Sequence, residues 1–204
     1  MKMIFFDTET TGLRPGSICQ LSYILVDTSL KPNKTLGKNI FFTVEYVEPS
    51  AEKVHGFSVE KLYELSNGKY FEDCLEEFAT DFQTADILIG HNVNFDIKFL
   101  TSELEGCGED LNYNHIFCTM NYYKNICNLK NSHDNIKAPR LEEALKFLNI
   151  KHSHIDVLSK KLFDETGNFH DARFDTTATY LLVTEGIKKG YIPPKYFTNM
   201  VMGI

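Results

Sequence analysis

The chain has 204 residues, 43% of them apolar, and its 28 acidic and 21 basic side chains leave a formal net charge of −7. This predicts one globular domain with a core built on 16 phenylalanines and 10 tyrosines, and it excludes a disordered or fibrous chain. The acidic balance argues against a broad basic face gripping long duplex, yet acids gathered at one cation-binding site would account for much of it.

The first stretch, Met3 to Leu13 (M-I-F-F-D-T-E-T-T-G-L), joins an apolar strand to two acids. Residues i and i+2 of a strand point the same way, about 6–7 Å apart. Asp7 and Glu9 therefore project together from the end of a core strand, where they repel unless a cation lies between them. Hard divalent ions take oxygen ligands, so Mg²⁺ or Mn²⁺ suits the pair. A D-x-E pair is ordinary in so acidic a chain, and alone it decides nothing.

Ile18 to Val26 and Ile40 to Val47 read as two further strands, with Asp27 to Lys38 as the turn between them and the three as an antiparallel meander. Pro49 and Ser50 break the pattern. Val59 to Leu65 is helical, with Ser58 as its N-cap. His55 stands in the loop before it. Phe71 to Phe82 forms an amphipathic helix whose stripe of Phe71, Leu75, Phe78, Ala79 and Phe82 belongs to the core.

Ala85 to Gly90 is a central strand covered on both faces. Gly90 to Asp96 (G-H-N-V-N-F-D) follows and opens a helix through Leu104, with Asn94 as N-cap and Asp96 favoured by the helix dipole. Ile116 to Met120 is an edge strand, followed by a helix through Tyr122 and Ile126. Asn128 to Pro139 is a surface loop. Leu141 to Leu148 is helical, and a further helical piece spans Val157 to Phe163, with His152 and His154 as surface residues before it. The last helix begins near His170 and runs to about Ile187, after which Gly190, Pro193 and Pro194 end regular structure. The expected organisation is a domain over 1–190 and a short tail over 191–204, in an α/β fold on a mixed sheet.

The five cysteines, at positions 19, 74, 107, 118 and 127, include no C-x-x-C pair, which fits a reducing compartment. The N-terminal apolar run is too short for a signal peptide, and the expected location is cytoplasmic.

Asp7, Glu9, Asp96, His170 and Asp175 form the candidate site. His170 and Asp175 are about 140° apart on one helix, so both reach a common pocket only if His170 hangs in the loop and Asp175 lies on the helix. Phe5–Leu13, Gly90–Asp96 and His170–Asp175 (H-D-A-R-F-D) resemble the three exonuclease motifs of the DEDDh, DnaQ-like 3′→5′ exonucleases, the group of the proofreading epsilon subunit of bacterial DNA polymerase III. The resemblance covers nearly the whole chain and implies a ribonuclease H-like fold. It implies that Asp7, Glu9, Asp96 and Asp175 hold two Mg²⁺ or Mn²⁺ ions and that His170 is the general base. It further implies that Thr10, Leu13, His55, Asn92 and Phe95 contact the terminal nucleotide of a single strand. Phe95 reads equally well as core packing against Phe99. Two departures are a long stretch between Leu148 and His170 and Thr176 in place of the common alanine.

The expected activity is release of nucleoside 5′-monophosphates from single-stranded 3′ ends, most naturally of DNA, with a polymerase or replication partner. The rivals are an exoribonuclease trimming short RNA and a non-catalytic binding module on the same fold.

Overall fold

A computed structural model of the protein describes residues 1–13, 17–165 and 167–204. The central strand is β1 (Lys2–Thr10). β2 (Ile18–Asp27) and β3 (Lys34–Phe41) extend the sheet antiparallel on one side, while β4 (Ile87–Gly90) and β5 (His115–Cys118) extend it parallel on the other. The order is β3-β2-β1-β4-β5, the mixed sheet expected.

Strand alternation divides the core in two. Ile4 and Phe6 face α3 (Leu75–Gln83) and α4 (Val93–Gly106), where Phe78, Phe82, Phe99 and Leu100 bury them completely or nearly so. Phe5 faces the other layer: α5 (Thr119–Cys127), α6 (Leu141–Phe147), α7 (His152–Phe163) and α8 (Ala172–Lys188). Each such buried side chain contributes about 1.5–3 kcal/mol, which holds β1 between the two layers. α1 (Pro49–His55) and α2 (Val59–Ser66) close one end over a smaller cluster of Cys19, Val44, Val47, Phe57 and Leu62.

Several boundaries differ from the expectation. β3 ends at Phe41, where a strand from 40 to 47 was expected, and most of its residues fall in the expected turn. Its register against β2, from Lys34↔Asp27 to Phe41↔Gln20, explains why. β3 is an edge strand and can be polar, whereas the apolar residues after it are buried without belonging to the sheet. Pro49 starts α1 instead of breaking a strand, because a helix's first turn needs no donor there. α3 begins at Leu75 after a 3₁₀ turn at Glu72–Cys74, with its apolar stripe in the core as expected.

α4 is capped by Asn92, not Asn94, and Asn92 takes a left-handed conformation with φ 71°. β5 stops at Cys118, two residues short of Met120, because Thr119 opens α5 and donates from Oγ1 to the Gly90 carbonyl at 3.2 Å. α7 starts at His152, five residues early, and carries the exposed His152 and His154 on its first turn. Beyond Lys188 the chain forms α9 (Tyr196–Met202), whose buried Phe197 meets Phe117 edge-on at 5.1 Å, where only a tail was expected.

Candidate active site

β1 outruns its parallel neighbour. Pairing with β4 ends at Phe5↔Ile89, so beyond it the strand's edge is open to side chains from α4. Thr8 uses this: its N–H and its hydroxyl both donate to Asp96 Oδ1, at 3.1 and 2.8 Å. Asp96, in the first turn of α4, is thereby fixed against the strand that bears Asp7 and Glu9. The parallel β1–β4 adjacency, on which convergence depends, is present.

Asp7 and Glu9 share the strand face of Phe5, toward α8. Asp175, in the first turn of α8, meets them there, and one carboxylate oxygen from each of the three lies within 4.8 Å of the others. Asp171 caps α8 through its side chain, so the helix starts late and His170 stays in the loop before it. His170 is exposed and left-handed, with φ 66°. Its N–H donates to Asp175 Oδ2 at 3.2 Å. The loop-and-helix division expected for this pair is the one observed.

Four acids in one corner disturb one another. Burial first, and then Asp96, Asp175, Glu9 and Asp171, hold the Asp7 carboxyl well above its usual range, although the residue keeps some exposure. Glu9 is raised likewise by burial, then by Asp175, Asp171 and Asp96. Burial pushes Asp96 up to about 7 against the two opposing Thr8 hydrogen bonds. It pushes Asp175 up to about 7 as well, against the His170 N–H.

Asp175 Oδ1 is buried without a hydrogen-bond partner. An orphaned buried acceptor costs about 1–3 kcal/mol. An all-oxygen donor set in which one carboxylate keeps an unpartnered buried oxygen fits a hard divalent cation.

Beside the acids is a cleft of about 300 Å³ lined by Thr8, Glu9, Thr10, Gly12, Leu13, Ser50, Ala51, Val54, His55 and Phe95. Of the expected substrate contacts, Thr10, Leu13, His55 and Phe95 meet here, and Leu13 is 84% exposed. Asn92 lies outside this lining, at the start of α4. Thr10 already donates its hydroxyl to the Gly12 carbonyl at 2.8 Å. His55 Nδ1 accepts from Phe57 N–H at 3.0 Å, which leaves the ring proton on Nε2. Burial lowers the His55 pKa, and the Thr10 backbone partly offsets this. Phe95 fills both roles considered for it: it lines the cleft and packs on Phe99 at 4.8 Å.

The sequence reading missed Thr8 and Gln20. Gln20 is fully buried, accepts from Ala172 N–H and donates to Asp171, both at 3.1 Å, and so ties β2 to the start of α8. A lone amide in the apolar run I-C-Q-L was its only signal. Arg173 pairs with Asp171 and Glu165. His91 is pinned between Thr119 Oγ1 (3.0 Å) and the Pro139 carbonyl (3.1 Å), and burial lowers it to about 4.

A family model described as RNase_T, exonuclease, matches residues 4–183. The DNA polymerase III epsilon subunit of Rickettsia felis is 35% identical over 111 residues, 51% of this chain and 44% of the relative. That of Buchnera aphidicola is 26% identical over 125 residues, 58% of this chain and 51% of the relative. The chain thus spans about half the length of these curated relatives. A solved structure of exonuclease I superimposes with a TM-score of 0.71 at 17% identity, covering 97% of this chain and 42% of the other, and shares its ribonuclease H-like architecture. With that match running from β1 through most of α8, the chain belongs to the RNase_T exonuclease family, the DnaQ-like 3′→5′ exonucleases.

Proposed function

We propose that this chain removes nucleoside 5′-monophosphates one at a time from single-stranded DNA 3′ ends, using two Mg²⁺ or Mn²⁺ ions. The observations that carry the reading are that Asp175 brings a carboxylate oxygen within 4.8 Å of those of Asp7 and Glu9 and that its Oδ1 is buried with no hydrogen-bond partner. Asp7, Glu9, Asp96 and Asp175 would hold the ions. When bound, such ions offset phosphate charge and acidify the attacking water.

The chain's own residues do the rest. His170, exposed in the loop before α8, takes the proton of the attacking water on a ring nitrogen. Water adds to phosphorus, the P–O3′ bond breaks, and the 3′ oxygen of the shortened strand leaves and is protonated. Leu13 and Phe95 flank the terminal base, a contact tolerant of sequence. Thr10, His55 and Asn92 supply polar groups to sugar and phosphate, with His55 Nε2–H as a donor. DNA is favoured over RNA by the epsilon subunits among the relatives, which also make a polymerase the proposed partner. No helix among the described residues is long and apolar enough to cross a membrane. Five free thiols suit a cytoplasmic site of action.

The test is digestion of 5′-labelled DNA and RNA strands of one sequence, with free or blocked 3′ ends, with and without EDTA. Stepwise shortening of free-ended DNA that EDTA abolishes is expected. Internal cleavage, or indifference to EDTA, defeats the reading, and faster digestion of RNA transfers it to an exoribonuclease.

A further inference from the structure

Asp171 is a fifth carboxylate at this corner, and the reading above gives it no part in holding cations. It is buried and close enough to act electrostatically on Asp7, Glu9 and Asp175. Left unpaired, such a group would compete for cations and loosen the segment that carries His170. Its surroundings prevent both. Arg173 meets it as a fork, Nε donating to Oδ1 at 2.9 Å and Nη2 to Oδ2 at 2.7 Å. Oδ1 accepts two more bonds, from Arg173 N–H at 3.0 Å and Gln20 Nε2 at 3.1 Å. Four donors are about the full acceptor capacity of a carboxylate, so little remains for a cation.

The same guanidinium reaches outward. Nη1 donates to Glu165, in the segment between α7 and α8, and the Phe41 ring lies 5.6 Å from the guanidinium carbon. Gly167, in that segment, sits so close that an added Cβ would stand 2.3 Å from the Asp171 carboxyl carbon. Glu165 and Gly167 both lie against the Asp171–Arg173 pair, and His170 directly precedes it. Gln20, cross-strand partner of Glu9, ties the pair to the strand next to the acids.

We propose that Arg173 is a positioning residue that locks Asp171 away from the cation pocket and, through it, holds His170 and Asp175 in working geometry. The inference rests on the roles given to His170 and Asp175 above. Losing a pair that only stabilised the fold would lower the melting temperature and leave turnover and the His170 amide unchanged.

The test uses the full chain as parent, Arg173→Ala and Arg173→Lys. One readout is kcat and KM on a free-ended single strand at saturating Mg²⁺. The other is hydrogen exchange of the His170 amide in the metal-free protein, where that amide donates to Asp175. Arg173→Ala should lose about tenfold or more in kcat, with KM within about twofold, because misplacement of reacting groups acts on turnover. Its His170 amide should exchange about tenfold faster. Arg173→Lys, which keeps a point charge but no fork, should recover part of both. A folded Arg173→Ala with parental kcat or a parental His170 amide overturns the proposal. If Arg173→Ala does not fold, parental values of both in Arg173→Lys overturn it instead. A parent that digests no nucleic acid defeats the exonuclease reading, and the exchange rates then decide the role of Arg173 by themselves.

Discussion

Asp7 has four other carboxylates acting on it, beside its burial. Its folded pKa is raised, so its contribution to stability is fully present below the unfolded value near 4 and is lost as pH rises through the folded value. At pH 8 without metal it therefore opposes folding, and Asp7→Asn removes that opposition while keeping the shape. We expect the metal-free variant to melt about 2–4 °C higher, for about 1 kcal/mol in a chain of this size. Its exonuclease rate should fall by about 10³, as loss of a cation ligand forfeits several kcal/mol of transition-state stabilisation. Thermal melts and strand digestion check both halves. His170→Ala should separate chemistry from binding: a rate lower by about 10²–10⁴ with Mn²⁺ affinity nearly unchanged by calorimetry. A large loss of affinity would make His170 a ligand.

Among the elements, α8 matters most, because it brings Asp175 to the acids and is buried along most of its length. Such close packing needs a small residue at Gly186: a Cβ there would stand 2.1 Å from the Tyr123 hydroxyl oxygen. That ring cannot easily move, being fully buried with its hydroxyl donating to the Leu182 carbonyl at 2.9 Å. Gly186→Ala should therefore destabilise by about 2 kcal/mol, or about 4–8 °C, even though alanine is the better helix former. The same substitution in a Tyr123→Phe background should lose less, since the obstructing atom is gone. Equal losses in the two backgrounds would show that the clash lies elsewhere.

At the level of the whole molecule, fold and site are linked through charge. Asp96 and Asp175, raised to about 7, oppose the metal-free fold increasingly as pH rises from about 4 to 7. His91, lowered to about 4, acts the other way: its stabilisation is full above its unfolded value near 6.5 and is lost as pH falls toward 4. Comparing melts with and without Mn²⁺ at each pH cancels the His91 contribution. Mn²⁺ at about a hundred times its dissociation constant should stabilise by about 2.7 kcal/mol, or about 5–11 °C, at pH 8. At pH 5, where the carboxyls hold their protons, the gain should nearly vanish. A gain independent of pH would place the cation outside this acid cluster.

The acids, their strand-end and helix-start settings and the loop position of His170 were all legible in the chain, because apolar periodicity and local spacing encode them. That β4 lies parallel beside β1 was not, because an apolar run ending in G-H-N-V-N-F-D marks a central strand without naming its neighbour. The place of β3, the helical start at Pro49 and the helix α9 were not, since an edge strand, a proline and a tail acquire their structure from what packs against them. The Thr8–Asp96 bonds join residues 88 positions apart, and the bonds of Gln20 to Asp171 and Ala172 join residues 151 and 152 apart. Local sequence specified which groups could do chemistry. Only tertiary packing, acting between segments remote along the chain, decided which of them share one low-dielectric pocket.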